Sequence, residues 1–156
     1  MSRKVVLVTG TNSGFGWLIA NTVAALGHQV YATMRDTEGK NADQARALAQ
    51  VENVTVMDVS LTDEASVAKA IDTIIAKEGA IDVLVNNAGA TIFGVTESAT
   101  TADIQRIFDV NFFAPWRLTK LALPAMRKQS AGLIINITSG FGRFSFPFSA
   151  VYGASK

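Results

Sequence analysis

Short apolar segments alternate with segments of helical character along the whole chain. Five apolar runs predict β-strands at residues 4–9, 29–34, 54–57, 81–86 and 132–138. Helices are predicted between them, at about 15–26, 42–50, 62–78 and 101–128. Because strand and helix alternate, we expect an α/β fold, with a parallel sheet joined by right-handed crossovers.

Local signals set the expected faces and ends of these helices. The first helix is predicted to end at Gly27, because the residues before that glycine recur at helical spacing: Phe15, Leu18, Ile19, Thr22, Val23 and Leu26. Thr62 is the predicted N-cap of the third helix, and Gly79 its end. Pro115 and Pro124 each predict an end or a bend, so the last helical segment is expected to be two helices or a kinked one.

Composition restricts the possible functions. The chain has 156 residues, of which 49% are hydrophobic and 17% charged, as is typical of one compact domain over residues 1–156. A net charge of +1 gives no electrostatic basis for binding nucleic acid or an anionic membrane, and the apolar runs are too short to span a bilayer. The absence of cysteine excludes disulfides and thiolate metal sites, and we expect no metal site. A cytoplasmic location is the expectation.

A glycine-rich turn, "TGTNSGFG" at 9–16, joins the first strand to the first helix. Its glycines, Gly10, Gly14 and Gly16, would allow a tight turn and the close approach of a pyrophosphate to the backbone. The helix N-terminus would then offer free N–H groups and its positive dipole end. The pattern predicts a nucleotide site; the alternative is a loop that needs glycines for packing alone.

The end of the second strand bears on the choice of nucleotide. An acidic residue there usually binds the ribose of NAD, but this chain has Met34. Arg35 follows, and its guanidinium could pair with the 2′-phosphate of NADP, so NADP(H) is predicted to be preferred over NAD(H); the alternative is a solvated loop cation. Asp36 has the usual spacing of the NAD acid but is expected to lie one residue too far into the loop. Asp58, after the third strand, could accept from an adenine amino group or cap the next helix.

Further motifs follow the glycine turn in order: "NNAG" at 86–89, "VN" at 110–111, "NITS" at 136–139 and "YGASK" at 152–156. With them, the chain resembles the short-chain dehydrogenase/reductase family of NAD(P)-dependent oxidoreductases. The resemblance implies a Rossmann-type doubly wound sheet of strand order 3-2-1-4-5, with the cofactor across the C-terminal strand ends. It also implies hydride transfer between NADP(H) and a small-molecule carbonyl or alcohol.

Four residues match the family's catalytic tetrad: Asn111, Ser139, Tyr152 and Lys156. The resemblance implies that Tyr152 is the general acid or base and that Lys156 stabilises its phenolate and binds the nicotinamide ribose. Ser139 would hold the substrate oxygen, and Asn111 would hold a water that connects Lys156 to bulk solvent. Taken singly, each has a structural alternative: a turn serine, a kink-stabilising asparagine, a packing tyrosine.

Residues along the C-terminal strand ends are expected to bind the cofactor. Asn87 and Thr9 are expected to brace the sheet, and Gly89 to let the backbone approach the adenosine ribose. The complete set comprises Gly10, Asn12, Ser13, Gly14, Phe15, Gly16, Arg35, Asp58, Val59, Asn87, Ala88, Gly89, Tyr152 and Lys156.

The loop at 140–149 carries four aromatic residues: Phe141, Phe144, Phe146 and Phe148. In the family this region lines the substrate pocket, which would suit an apolar ketone or alcohol. The alternative is that these rings only pack the loop onto the body of the protein.

Members of the family are substantially longer than this chain, which is therefore expected to be C-terminally incomplete, lacking the later strands and helices. Its fifth strand would be an exposed edge, so a homo-oligomer is expected. Two hypotheses stand: an NADP-preferring dehydrogenase/reductase, and a catalytically inactive truncated fragment that retains a nucleotide-binding fold. A third, a Rossmann-like interaction module without cofactor, is disfavoured by the intact tetrad.

Overall fold

The computed structural model describes residues 2–156, which form a five-stranded parallel sheet flanked by helices. The strands are β1 (Val5–Thr9), β2 (Gln29–Met34), β3 (Val54–Asp58), β4 (Val83–Asn86) and β5 (Leu133–Asn136). Their spatial order is β3-β2-β1-β4-β5, with every adjacent pair parallel. The predicted Rossmann-type order is confirmed. The order reverses beside β1, so the C-terminal ends of β1 and β4 border the crevice in which such sheets bind ligands.

Six helices connect the strands or follow the last one. They are α1 (Gly14–Ala25), α2 (Ala42–Ala49), α3 (Glu64–Glu78), α4 (Thr101–Phe108), α5 (Ala114–Lys128) and α6 (Ala150–Ala154). A π-helical turn, Asp109–Phe113, joins α4 to α5. Gly27 and Gly79 take left-handed backbone angles just after α1 and α3, so both predicted helix ends are confirmed.

The side chains of β1 alternate between two apolar layers. Val5 and Leu7 pack with α3 and α5 on one face of the sheet, whereas Val6 and Val8 pack with α1 and α2 on the other. All five β1 residues are buried. This two-sided burial explains why the strand is a continuous apolar run. It also makes β1 the fixed support from which the glycine turn projects.

The residues that recur at helical spacing in the sequence do not form the buried face of α1. The helix buries its small residues, Gly16, Ala20 and Ala24, while Phe15 and Leu18 are 71% and 59% exposed. Leu26 lies beyond the helix and is also exposed, and Ile19 and Val23 are only partly buried. These three residues are spaced by four, so they share one face of the helix. Because their side chains are small, α1 can lie close to the sheet on that face, and that face is therefore the buried one.

One local prediction needs correction. The N-cap of α3 is Asp63, whose carboxylate accepts from the Ala65 N–H at 3.0 Å, and not Thr62. Both residue types cap well, and the helix begins one residue later than expected. The prediction of two helices over residues 101–128 is confirmed by α4 and α5: Pro115 lies in the first turn of α5, and Pro124 lies inside α5 without ending it.

The strand β5 is an edge of the sheet and is less covered than β1. It pairs with β4 alone, and Leu133 and Ile135 are largely exposed. Within residues 2–156, no helix is both long and apolar enough to cross a membrane.

Candidate active site

The glycine turn is held against the loop that follows β4. Asn87 donates from Nδ2 to the Thr9 carbonyl at 2.8 Å and to the Gly10 carbonyl at 3.1 Å. The Thr9 hydroxyl accepts from the N–H groups of Asn87 and Ala88, at 3.1 and 3.0 Å. Asn87 and Thr9 therefore brace the C-terminal end of the sheet, as expected. A Cβ atom on Gly16 would lie 2.2 Å from the Gly10 carbonyl oxygen, so the turn packs on α1 only because residue 16 has no side chain.

The start of α1 presents unused hydrogen-bond donors. No side chain in the described part of the chain caps this helix, so the first N–H groups after Ser13 have no partner of their own. Gly14 has a φ of +55°, and a Cβ there would meet nothing within 4 Å. Unpaired N–H groups beside an open backbone surface are the donor set that a diphosphate requires. The turn therefore fits a dinucleotide.

Arg35 and Asp36 follow β2 but face different surroundings. Met34 is buried in the core, and the Arg35 side chain is exposed, with no ion pair or hydrogen bond to any residue in 2–156. The Asp36 carboxylate turns back into its own loop and accepts from the Lys40 N–H at 2.8 Å. The Arg35 guanidinium is thus available to a ligand, whereas the Asp36 carboxylate is bonded within its own loop.

Asp58 orders the loop that carries Arg35. Its carboxylate accepts from the N–H groups of Asp36 at 3.2 Å and Thr37 at 2.8 Å, and from the Thr37 hydroxyl at 2.8 Å. The Thr37 N–H contributes most to a lowered pKa of Asp58. The prediction that Asp58 caps the next helix is wrong, because Asp63 does so. Contact with adenine stays a prediction. Val59 packs its side chain in the core, so only its backbone could face a cofactor.

Asn111 lies in the π-helical turn and is buried. Its Oδ1 accepts from the Ala90 N–H at 2.8 Å, and its Nδ2 donates to the Ala90 carbonyl at 2.8 Å. The second N–H of the amide donates to the Ser155 hydroxyl at 2.8 Å. The side chain thus clamps the loop after β4 and uses both of its donors to do so. Its predicted role in holding a water stays a prediction.

Ser155 is a site residue that the sequence analysis missed. Its buried hydroxyl accepts from Asn111 and donates to the Tyr152 carbonyl at 2.8 Å. It connects the π-helical turn to α6, two segments that are 44 residues apart in the chain. The only signal in the sequence is its place beside Lys156, which is too weak to distinguish it from a solvent-facing serine.

The helix α6 brings Tyr152 and Lys156 to the C-terminal end of the sheet. A Cβ on Gly153 would lie 2.9 Å from the Phe141 carbonyl oxygen, so this turn packs tightly against the preceding loop. The half-buried Lys156 ammonium donates to the Ile137 carbonyl at 3.2 Å, and burial lowers its pKa. A Cβ on Gly89 would lie 3.1 Å from Lys156 Nζ. In this structure, the space at Gly89 accommodates the lysine.

Ser139 follows β5 and begins a single 3₁₀ turn, Gly140–Gly142. Its hydroxyl accepts from the Phe141 N–H at 3.3 Å, so it fills the turn role that was its structural alternative. In residues 2–156, no hydrogen bond joins it to Tyr152. Its contact with substrate stays a prediction.

The aromatic residues of the 140–149 loop divide into two groups. The rings of Phe141 and Phe93 each lie 5.7 Å from the Tyr152 ring, and Phe146 packs on Phe141 at 4.7 Å. Phe144 and Phe148 face solvent. The first group surrounds Tyr152 with apolar surface.

In the described residues, no three acidic or histidine side chains converge as they would around a metal ion.

Comparison with known proteins identifies the family. The family model for short chain dehydrogenase matches residues 4–156. The chain belongs to this family.

Relatives of the chain are recognisable over its whole length. It is 38% identical to 3-ketodihydrosphingosine reductase of Bacteroides thetaiotaomicron over 156 residues, which is 100% of this chain and 54% of that protein. It is 38% identical to human retinol dehydrogenase 8, with 98% of this chain and 50% of that protein covered. A metagenomic short-chain oxidoreductase solved in complex with NADP superposes with a TM-score of 0.90 at 34% identity, covering 100% of this chain and 71% of the other. The chain spans about half the length of the curated relatives it matches.

Proposed function

We propose that this short-chain dehydrogenase transfers hydride between NADP(H) and a small carbonyl or alcohol substrate. One observation carries the proposal: α6 holds Tyr152 and Lys156 at the C-terminal end of the sheet, where Lys156 lies against Gly89 and Ile137. The open, uncapped start of α1 lies at this same end of the sheet and fits a dinucleotide.

Each side chain then has a defined task. The Tyr152 hydroxyl gives a proton to the substrate oxygen in reduction and takes it back in oxidation. The Lys156 ammonium stabilises the phenolate, and its own pKa, lowered by burial, makes it a readier proton donor than an exposed lysine. Ser139 stabilises the charge that develops on the substrate oxygen. The nicotinamide, when bound, supplies or accepts the hydride.

An apolar substrate is proposed from the surroundings of Tyr152. The rings of Phe93 and Phe141 pack at its edge, and such surfaces favour apolar ligands. Two similar proteins are named for retinol and 3-ketodihydrosphingosine, both of which carry long apolar parts.

The preference for NADP(H) is proposed from Arg35. Within residues 2–156 its guanidinium is exposed and without a protein partner, the strand end has Met34 in place of the acidic residue, and the Asp36 carboxylate accepts from the Lys40 N–H. Arg35→Ala is expected to weaken NADPH binding about tenfold or more, as for loss of a hydrogen bond to a charged group, and to change NADH binding little. Arg127→Ala removes a distant cation and is the control for general electrostatics. Equal losses for both nucleotides would contradict the assignment.

Turnover decides between the enzyme and an inactive nucleotide-binding form. The second hypothesis has one observation in its favour, since the Ser139 hydroxyl bonds the Phe141 N–H. NADPH oxidation with a panel of apolar ketones and aldehydes is the assay, and Tyr152→Phe is expected to abolish it. Tyr31→Phe, in the middle of β2 with its hydroxyl bonded to Glu78, is the matched control and should retain it. Nucleotide binding without turnover, unaltered by Tyr152→Phe, would favour the inactive form.

Three expectations from the sequence stay proposals. A single domain over residues 1–156 predicts one cooperative unfolding transition. A homo-oligomer predicts a mass above the 16.6 kDa of one chain in solution. A cytoplasmic location is tested by cell fractionation.

A further inference from the structure

The peptide bond between Arg35 and Asp36 is held from both sides. Its carbonyl, that of Arg35, accepts from Asn41 Nδ2 at 2.7 Å. Its N–H, that of Asp36, donates to Asp58 Oδ1 at 3.2 Å. Asp36 has a φ of +55°, which non-glycine residues rarely adopt, so this peptide keeps an orientation that the chain alone would not favour. Two side chains from separate elements therefore fix the backbone from which Arg35 projects.

The Asn41 side chain does not make the hydrogen bond that is usual for its position. It is the N-cap residue of α2, where an asparagine side chain would ordinarily accept from its own helix, yet it makes no such bond. Its amide turns instead toward the preceding loop and is buried there. The helix start is left without a side-chain cap while the Arg35 carbonyl gains a donor.

The same amide connects the Arg35 loop to the glycine turn. Asn41 Oδ1 accepts from Asn12 Nδ2 at 3.3 Å, so one side chain contacts the segment proposed to hold the diphosphate and the segment proposed to hold the 2′-phosphate. The spacing between the two phosphate sites then depends on Asn41.

We propose that Asn41 is a positioning residue that sets the direction of Arg35 and thereby the preference for NADPH over NADH. This inference rests on the proposed function. An arginine side chain is long and rotamer-rich, so its contribution to a phosphate contact depends on how well its backbone is fixed. Without the Asn41 donor, the peptide is held only by the 3.2 Å bond to Asp58, so it is less well fixed and the guanidinium samples more orientations away from the ligand. NADH has no 2′-phosphate, so its affinity should not depend on the direction of Arg35.

The test is a double-mutant cycle on nucleotide affinity, which needs no turnover. Dissociation constants of NADPH and NADH are measured by titration calorimetry for the wild type, Asn41→Ala, Arg35→Ala and the double variant. Asn41→Ala is expected to lower the NADH-to-NADPH ratio of dissociation constants by about fivefold to tenfold, as for partial loss of a charged hydrogen bond. In the Arg35→Ala background it should change that ratio by less than about twofold, because the two side chains act as one unit.

Two further variants keep the result interpretable. Asn41→Asp preserves volume and the acceptor toward Asn12 but removes the donor to Arg35, so it should lower the ratio even if the alanine variant folds poorly. A direct repulsion of phosphate by the new carboxylate would persist in the Arg35→Ala background and is thereby recognised. Gln44→Ala removes another amide of α2, whose oxygen is buried without a partner, and should leave the ratio unchanged.

The outcomes separate this inference from the proposed function. An unchanged ratio in both Asn41 variants, an equal loss for NADPH and NADH, or a full effect that persists without Arg35 would each overturn it. If Arg35→Ala removes the preference but the Asn41 variants do not, the role of Arg35 stands and that of Asn41 fails. A wild type that binds neither nucleotide, or prefers NADH, overturns both.

Discussion

Replacement of Gly16 by alanine sets helix propensity against packing. Gly16 lies within the first turn of α1, where alanine is favoured over glycine by about 1 kcal/mol in an exposed helix. Propensity alone therefore predicts a stabilised protein. A Cβ at this position, however, would lie 2.2 Å from the Gly10 carbonyl oxygen and 2.5 Å from Asn87 Nδ2.

The geometry decides which effect is larger. Real Cβ atoms do not approach closer than 3.0 Å, so the Gly10 carbonyl, a backbone group, must move by about 0.8 Å. That movement disturbs the bonds from Asn87 to the carbonyls of Thr9 and Gly10. Overpacking costs about 1–3 kcal/mol and a lost hydrogen bond about 1 kcal/mol. After the helix-propensity gain, we expect Gly16→Ala to lose about 1–3 kcal/mol of unfolding free energy.

Urea unfolding followed by tryptophan fluorescence measures this loss, with an unchanged m-value required for the comparison. Gly14→Ala is the matched control: its φ of +55° is unfavourable for alanine, but its Cβ would meet nothing within 4 Å. It should cost only about 1–2 kcal/mol from backbone strain and leave the Asn87 bonds intact. A Gly16→Ala protein more stable than the wild type would refute the reasoning.

Three further predictions concern buried contacts and the sheet edge. Ser155→Ala leaves an Asn111 donor buried without an acceptor and should cost about 1–3 kcal/mol in urea unfolding, whereas Ser155→Thr, which keeps the hydroxyl, should cost less. Burial and a 2.7 Å bond to Glu78 raise the pKa of Tyr31, so the unfolded chain loses the phenolic proton first, and stability should fall as pH rises above about 10. Urea midpoints between pH 8 and 11 measure that fall, and Tyr31→Phe should abolish it. Leu133→Lys on the exposed edge strand should reduce self-association in sedimentation velocity, and a wild type that is monomeric at tens of micromolar would contradict the premise.

The strands could be predicted because apolar runs that alternate with helical segments are a property of the sequence itself, whereas the strand order came from the resemblance to the family. Every residue of β1 and β2 is buried, and both are predominantly apolar segments. The face of α1 could not be predicted in the same way. Gly16, Ala20 and Ala24 are buried because the helix lies close to the sheet, and apolar periodicity gives no weight to small residues.

In the candidate site, the motif residues could be predicted from the sequence, and the residues that hold them in place could not. Motifs locate Tyr152, Lys156 and Asn111, which the fold brings to one end of the sheet. The partners of these residues depend on distant segments: Ser155 meets Asn111 across 44 positions, and Asp58 meets Thr37 across 21. Neither pairing leaves a local pattern. Asp58 was expected to face a ligand or cap a helix because a sequence gives no information about which loop will fold over a carboxylate.

The small size of α6 has a consequence for how the protein folds. A helix of five residues has too few internal hydrogen bonds to form in an unfolded chain. The Phe141 carbonyl packs against Gly153, and the Asn111 amide bonds Ser155. Both groups must be in place before α6 gains enough contacts to be stable. We therefore expect α6 to order after the transition state, so that substitutions there accelerate unfolding while leaving the refolding rate nearly unchanged. The segment that carries Tyr152 and Lys156 would then be the last to order as the chain folds and the first to be lost as it opens.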